Sequence, residues 1–300
     1  MSLYLVAGHG AATVAACIGE HLPTARARRY PSDTSDVEWR ILAAHIPAGG
    51  TVAGRGGGPV TYPRRDIVDA IRYLDHNSCV WRALPVDFPP WPTVYHYFRT
   101  WNGDGTLSAL HGALREQIRH AEGRHVEPSA AILDSQSVRA AETVARSSRG
   151  FDAGKKVNGR KRHIAVDTTG LLLVVLVTGA GVQDRHGARL LLWALAGCFV
   201  RISMVWVDGG YSGAPVEYGL TLGLVVQVVA KLAGQIGFTV LPRRWVVERT
   251  LSWINRCRRT TRDYERLPQH HAAMVQWSMV IVMTRRLARY QTRPPRTRTA

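Results

Sequence analysis

The sequence lacks the long apolar runs and the paired cysteines that mark membrane proteins and small secreted domains. No apolar stretch reaches the roughly 18–20 residues that a membrane-spanning helix needs, so we expect no membrane partner. The four cysteines lie far apart in the chain: Cys17, Cys79, Cys198 and Cys257. Their spacing matches no zinc motif, and a chain of 300 residues needs no disulfide framework. These absences favour a reducing, cytoplasmic location.

Acidic residues are scarce beside basic ones. The chain has 22 Asp and Glu against 39 Lys and Arg, which gives a formal net charge of +17. Nearly all the cations are Arg, whose guanidinium binds phosphate through two parallel hydrogen bonds. Because a field of this sign attracts polyanions, DNA is the predicted partner and the nucleoid the predicted location. Hydrophobic residues make up 46% of the chain, which is enough for a folded core.

The first part of the chain has the pattern of a small helical bundle. Residues 1–30 fit no clear element and form an unassigned N-terminal extension. Residues 31–125 are predicted to be a helical DNA-binding domain, because short amphipathic helices joined by turns are typical of a helix-turn-helix unit. The predicted helices cover 37–46, capped by Asp36, then 64–74, 93–101 and 106–120, with a glycine-rich connector over 48–59. A bundle that only packs or dimerises is the alternative.

The second part changes to strands, and residues 126–290 are predicted to form a mixed-sheet catalytic domain. Its order is a strand, a hairpin of two strands, then helix, strand, helix, strand and helices. The elements cover 130–139, 162–167, 171–178, 184–196, 204–208, 213–222, 224–229, 242–258 and 268–290. This is the α/β order of a ribonuclease-H-like fold, in which the first and fourth strands are neighbours. Residues 291–300 form a basic tail.

Three carboxylates are the candidate catalytic and metal-binding residues. Asp134 and Asp208 each end a strand-like apolar run, and the predicted adjacency of those strands brings them together. Glu248 lies at the centre of the polar face of a helix, beside Arg244. Hard divalent cations take oxygen ligands, and a pair of them can drive phosphoryl transfer. Each residue also has a plain structural alternative, as a turn cap or a surface ion pair.

Other polar residues of this part have less specific patterns. Asp167 is predicted to be a hairpin-turn residue and Asp184 a helix cap, while Asp152 fits either a loop or a site. His163 is predicted to pack in the sheet.

A basic segment over residues 146–162 is the predicted DNA clamp. It holds seven cations: Arg146, Arg149, Lys155, Lys156, Arg160, Lys161 and Arg162. Charges left unpaired cannot be buried, so we expect an unpacked loop that holds DNA phosphates near the carboxylates. A solvated loop without a ligand is the alternative. Arg244, Arg256 and Trp245 are further candidate DNA contacts, with Trp245 placed to stack on a displaced base.

An ordered set of motifs carries a family resemblance over about residues 28–290. The helical part contributes Trp81-Arg-Ala-Leu-Pro and Phe88-Pro-Pro-Trp-Pro. The catalytic part contributes Asp134-Ser-Gln-Ser-Val, the basic stretch 150–171, Val182-Gln-Asp-Arg, Asp208-Gly-Gly-Tyr and Arg244-Trp-Val-Val-Glu-Arg. In this order they resemble a bacterial insertion-sequence transposase of the DDE type, in insertion-sequence family five.

The resemblance implies a catalytic triad of Asp134, Asp208 and Glu248 that holds two Mg²⁺ or Mn²⁺ ions. It further implies cleavage at the terminal inverted repeats, strand transfer into target DNA, and a homodimer in the synaptic complex. Two positions depart from the wider signature around the Glu, since Leu241 replaces a Tyr and Asn255 replaces a Lys. A nuclease that cuts without joining, or an inactive copy that acts as a DNA-binding repressor, is the alternative.

Overall fold

The structure is a computed structural model that describes residues 4–5, 26–47, 61–229 and 243–292. Most of the predicted N-terminal extension, the glycine-rich connector 48–59, Leu241 and the tail beyond residue 292 lie outside the described residues. No helix within the described ranges is long and apolar enough to cross a membrane.

Short helices make up the first part of the chain. They are α1 (Asp36–Ala43), α2 (Arg64–Asn77), α3 (Trp91–Gly103) and α4 (Thr106–Ala121). Ser35 caps α1, because its hydroxyl accepts from the Glu38 amide at 3.1 Å while the Glu38 carboxylate accepts from the Ser35 amide at 2.8 Å. The predicted cap, Asp36, is therefore wrong by one residue and lies inside the helix.

The connection between α2 and α3 is too long for a compact helix-turn-helix of these two helices. That motif joins its helices by three or four residues, whereas residues 78–90 separate α2 from α3 and contain a 3-10 turn over Trp81–Ala83. Only residues 104–105 separate α3 from α4, and the four predicted helices are all present. An aromatic cluster of Trp81, Tyr95 and Phe98 packs the connection onto α3.

Strands and helices alternate through the second part. The strands are β1 (Tyr4–Leu5), β2 (Ala130–Arg139), β3 (Gly150–Asp152), β4 (Val157–Asp167), β5 (Leu172–Gly179), β6 (Met204–Val207) and β7 (Val225–Val228). The helices are α5 (Asp184–Cys198), α6 (Ala214–Thr221), α7 (Arg244–Asn255), α8 (Arg258–Thr261) and α9 (Pro268–Thr292). Residues 291–292, assigned to the tail by sequence, belong to α9.

The sheet has the order β1-β5-β4-β2-β6-β7, with β3 added on β4. β2 pairs antiparallel with β4 and parallel with β6. The sequence predicted that the first and fourth strands of the catalytic part would be neighbours, and this pairing of β2 with β6 confirms it. The mixed α/β architecture with N-terminal helices is that of the predicted ribonuclease-H-like fold.

The two faces of the sheet pack against different helices. Even-numbered residues of β2, such as Ile132, join the core formed with α7 and α9, which we call the α9 face. Odd-numbered residues, such as Leu133, join the core formed with α5, which we call the α5 face. This alternation decides on which side of the sheet each functional side chain lies.

α9 joins the helical and catalytic parts of the chain through a shared core. It packs against α1, α2 and α4 on one side and against β5 and α7 on the other. Residues of the helical part and of the α9 face belong to the same buried cluster. Arg119 of α4 also forms a buried ion pair with Asp167 at the end of β4. The predicted boundary at residues 125–126 is therefore a change of secondary structure within a continuous core.

Two glycines of α5 provide a test of this packing. A Cβ on Gly187 would lie 2.2 Å from Nδ1 of the buried His163 ring, whereas a Cβ on Gly197 would have no atom within 4 Å. We predict that Gly187→Ala lowers the free energy of unfolding by about 1–3 kcal/mol through overpacking. Gly197→Ala should raise it by about 0.5–1 kcal/mol, since Ala favours the helix.

Urea unfolding followed by circular dichroism measures both changes, with Gly197→Ala as the matched control in the same helix. Equal stability of Gly187→Ala and the wild type would contradict the close approach of α5 to β4.

Candidate active site

Asp134 and Asp208 lie on adjacent strands and on the same face of the sheet. β2 and β6 pair in parallel, with Ile132 opposite Trp206. Two residues further along each strand, this register places Asp134 beside Asp208, where the backbone is still extended (φ −85°, ψ 177°). Because Ile132 and Trp206 both face α9, the alternation directs both carboxylates towards the side of the sheet that carries α7.

Buried apolar residues and two hydrogen bonds hold α7 on this side of the sheet. Val247 and Ile254 are buried beneath it. The Thr250 hydroxyl donates to the Gly170 carbonyl at 2.8 Å, and the Arg249 guanidinium donates to the Thr169 carbonyl at 2.9 Å. Gly170 has φ +85°, and a Cβ there would lie 2.8 Å from the Thr250 hydroxyl. The glycine of the β4–β5 turn thus allows α7, the helix that carries Glu248, to pack closely against this turn.

Arg244 connects the third carboxylate, Glu248, to Asp208. Its Nη2 atom lies 3.5 Å from Oδ2 of Asp208 and 3.7 Å from Oε1 of Glu248, its i+4 neighbour on α7. Glu248 is 53% exposed and Asp208 33% exposed, so both carboxylates open to solvent. The helix face predicted for Glu248 is present. It ends with the helix at Asn255.

The electrostatics of Asp134 reflect its burial and its negatively charged neighbour. Burial of the Asp134 carboxyl and the negative charge of Asp208 raise its pKa to about 6, despite the nearby cations Arg244 and Lys155. One backbone amide donates a hydrogen bond to each aspartate: that of Ser135 to Asp134 at 2.7 Å and that of Gly210 to Asp208 at 2.8 Å. Each carboxylate therefore keeps oxygen lone pairs for another ligand.

The donor set fits a hard divalent cation. Carboxylate oxygens are the ligands that Mg²⁺ and Mn²⁺ favour. Such an ion would neutralise the negative charges of Asp134 and Asp208, which repel each other. Within the described residues, no three Asp, Glu, His or Cys side chains stand close enough together to hold a metal ion as they are. The structure thus pairs Asp134 with Asp208, and Arg244 links Glu248 to Asp208.

The neighbouring carboxylates on the α5 face are already paired. Lys161 lies 3.0 Å from Asp184 and 3.5 Å from Asp152, and the Ser135 hydroxyl donates to Asp184 at 2.8 Å. Asp184 is the first residue of α5 and not its cap, because Gln183 occupies that position. The Asp184 carboxylate contacts Lys161 of β4 and Ser135 of β2 and does not cap the end of α5. Asp152 accepts from the Ser137 hydroxyl, and this bond lowers its pKa to about 2.

Two other sequence predictions agree with the observed contacts. Asp167 accepts from the amides of Thr169 and Leu171 within the β4–β5 turn, at 2.8 and 2.9 Å. His163 is buried in the sheet, with Nε2 at 3.1 Å from the Thr178 hydroxyl, and burial lowers its pKa to about 4.

The prediction that residues 146–162 form an unpacked loop is wrong. Residues 157–162 belong to β4, and Arg160 and Arg162 are fully buried on the α9 face. Arg160 pairs with Asp263 at 2.9 Å, and Arg162 donates to Asn255 at 2.6 Å and to Gln136. The expectation failed because each buried charge has a partner that lies far away in sequence. Arg160, Lys161 and Arg162 are therefore buried in contacts within the protein and do not face a ligand at the surface.

The other predicted cations remain at the surface. Lys155, Lys156, Arg146 and Arg256 are exposed, and Arg149 is half-buried. Lys155 is closest to the carboxylates, because its Nζ lies 3.4 Å from the Ser135 carbonyl, one residue after Asp134. These side chains are accessible to a polyanion that approaches the aspartates.

Trp245 is 41% exposed, but one side of its ring is already occupied. The Arg249 guanidinium lies 4.4 Å from the Trp245 ring centre and 4.5 Å from that of Trp253. Sequence reasoning missed Arg249, although the i±4 spacing of 245, 249 and 253 predicts this stack on a helix. Beside Glu248, α7 thus presents a ladder of two indoles and a guanidinium.

Comparison with known proteins agrees with this geometry. A family model described as "Transposase DDE domain" matches residues 126–283, which include all three carboxylates. A second, "Putative transposase of IS4/5 family", matches residues 34–111. A curated relative from Burkholderia cepacia, "Putative transposase for insertion sequence element IS402", is 29% identical over 138 residues. That match covers 44% of this chain and 65% of the relative, so it spans less than two thirds of that protein. The chain belongs to the DDE transposase family, and its helical part matches the model of the IS4/5 group.

Proposed function

We propose that this protein is a metal-dependent transposase that cuts DNA at the ends of an insertion element and joins the freed 3′-OH to target DNA. The observation that carries the proposal is the pairing of Asp134 and Asp208 on β2 and β6, facing the helix of Glu248. Family membership points to the same chemistry.

Asp134, Asp208 and Glu248 are the residues that would hold two Mg²⁺ or Mn²⁺ ions. Such ions, when bound, supply charge that activates the attacking oxygen and stabilises the leaving oxygen. The chain's own role is to position these ligands. Arg244 holds the Glu248 helix towards Asp208 at 3.5 Å, and Arg162 holds the end of the same helix through Asn255. Positioning of this kind accounts for a large share of the rate acceleration by a phosphoryl-transfer enzyme.

DNA is the proposed partner. The residues proposed to hold its backbone are the exposed Arg146, Lys155, Lys156 and Arg256 and the partly buried Arg149 and Arg244, with Trp245 against a base. The helical part would bind the terminal inverted repeats, since His96, Arg99 and Thr100 are exposed along α3. Two copies of the chain would meet in the complex that pairs two element ends.

The triad yields the first functional prediction. Asp134→Asn, Asp208→Asn and Glu248→Gln keep the side-chain size but remove the charge that holds a divalent ion. Each substitution should lower the rate of Mg²⁺-dependent nicking of a duplex that carries an element end by more than about tenfold. Each should also weaken Mn²⁺ binding, as measured by calorimetry. DNA binding in a gel-shift assay should stay near wild type.

Glu217→Gln, an exposed glutamate of α6, is the matched control and should change none of these readouts. A triad variant that nicks at the wild-type rate would remove that residue from the site. Joined products separate a transposase from a nuclease, which would yield nicks alone.

The basic turn after β3 yields the second functional prediction. Lys155→Ala with Lys156→Ala should weaken DNA binding, because both lysines are exposed beside the Asp134 strand. The log–log salt slope of binding should fall by about 0.9 for every phosphate that the variant no longer neutralises. Fluorescence anisotropy across a salt series measures the slope.

Arg201→Ala removes one positive charge at the opposite end of β2, where residue 203 pairs with residue 129. It should leave the slope unchanged. If the double lysine variant keeps the wild-type slope, the turn does not contact DNA.

A further inference from the structure

A polar groove lies beyond Asp134 in the direction of β2, away from the three carboxylates. It has a volume of about 910 Å³. Its walls come from residues 142–146, from residues 149–151 with Asn158, and from Arg266 of the segment before α9. Arg266 is more than a hundred residues from the other walls in sequence, so only folding creates the groove.

Three arginines line this groove: Arg146, Arg149 and Arg266. None of them has a carboxylate partner among the described residues, whereas buried arginines such as Arg72, Arg160 and Arg259 all form ion pairs. Glu142 is the one carboxylate of the groove's described lining. The groove therefore carries a positive charge that a ligand can neutralise, and a phosphodiester chain is the complementary anion.

A buried cation fixes the two walls relative to each other. Arg160 donates to the Ser148 hydroxyl at 2.6 Å on one wall, and to the carbonyls of Glu265 at 2.8 Å and Arg266 at 2.9 Å on the other. Its charge is balanced by Asp263 at 2.9 Å. Because Arg160 is fully buried, these bonds form without a ligand, and the groove is preformed.

Aromatic rings border the cationic lining. Phe151, on the edge strand β3, is 58% exposed and belongs to the lining. Thr143 and Arg266 also line a neighbouring slot of about 240 Å³ whose walls include Trp81, Trp91 and Tyr95. Guanidiniums beside aromatic rings are the pattern that binds single-stranded nucleic acid, since phosphates bind the cations and unpaired bases stack on the rings.

We propose that this groove binds a single strand of DNA, with phosphates on Arg146, Arg149 and Arg266 and an unpaired base on Phe151. A duplex offers no free base face to an exposed phenyl ring, so the aromatic residues select the single strand. The choice of DNA as ligand rests on the proposed function.

The groove leads to the carboxylates. Phe151 is four residues from Lys155, a reach of at most about 14 Å. The Lys155 ammonium in turn lies 3.4 Å from the Ser135 carbonyl, next to Asp134. A strand held in the groove therefore runs towards the metal-binding carboxylates, and the groove would hold the strand that is opened at a cut end.

Binding of a fluorescein-labelled oligothymidine to the full chain tests the proposal, measured by anisotropy across a salt series with EDTA. Arg266→Ala should reduce the log–log salt slope by about 0.7, and Arg146→Ala with Arg149→Ala and Arg266→Ala by about 2. Phe151→Ala should weaken binding roughly 5- to 150-fold without a change of slope. Arg201→Ala should change neither quantity.

A second substrate isolates the stacking contact. On an oligonucleotide with abasic sites, wild type and Phe151→Ala should bind with equal affinity, because no base remains to stack. Wild-type binding of oligothymidine by the triple arginine variant would overturn the proposal. So would a Phe151→Ala effect that persists on abasic DNA, or equal losses on duplex and single strand.

Binding measured in EDTA, without a divalent ion, tests this proposal separately from the proposed function. Asp208→Asn should bind oligothymidine like the wild type, since the groove needs no metal. Loss of single-strand binding in Asp208→Asn would overturn the groove proposal. Metal-independent nicking by Asp208→Asn at the wild-type rate would instead contradict the proposed function and leave the groove intact.

Discussion

The parallel pairing of β2 with β6 is the constraint on which the candidate site depends. Its register places Asp134 beside Asp208, and side-chain alternation turns both towards α7. A shift of one residue in either strand would move one carboxylate to the α5 face. The antiparallel pairing of β2 with β4 on its other side holds β2 in place, so the two aspartates rest on the centre of the sheet.

The same alternation explains why a strongly basic strand can lie in the middle of a core. In β4, Arg160 and Arg162 face α9 while Lys161 faces α5. Removing one partner of a buried ion pair commonly costs about 3–5 kcal/mol, so Arg160 and Lys161 depend on the carboxylates of Asp263 and Asp184. Arg162 instead donates to the neutral side chains of Asn255 and Gln136. Buried charge thus ties β4 to α5, to the end of α7 and to the segment before α9.

α9 carries this arrangement into the helical part. It packs on α1, α2 and α4 and also on β5 and α7, so a single hydrophobic core spans the helical and catalytic parts. Arg119 of α4 adds a buried ion pair with Asp167 beside the turn on which α7 sits. The helical part is thereby connected to the helix of Glu248 through packed side chains and this ion pair.

Local patterns in the sequence determined the elements and the candidate carboxylates. Hydrophobic periodicity and turn residues predicted the long helices and most of the strands, because those signals act over a few neighbouring residues; β3 and the start of β4 were missed in the basic segment. The motif order indicated the family and therefore the neighbouring strands of Asp134 and Asp208. The cap of α1 is also a local feature, whereas only the tertiary structure decided which basic residues are buried and paired.

Ser35 replaced Asp36 as the cap through a reciprocal bond with Glu38. Arg160 and Arg162 became buried because Asp263 and Asn255 reach them across about a hundred residues of chain. The groove of Arg146, Arg149 and Arg266 has the same origin, since sequence shows which residues carry charge but not which charges find partners when the chain folds.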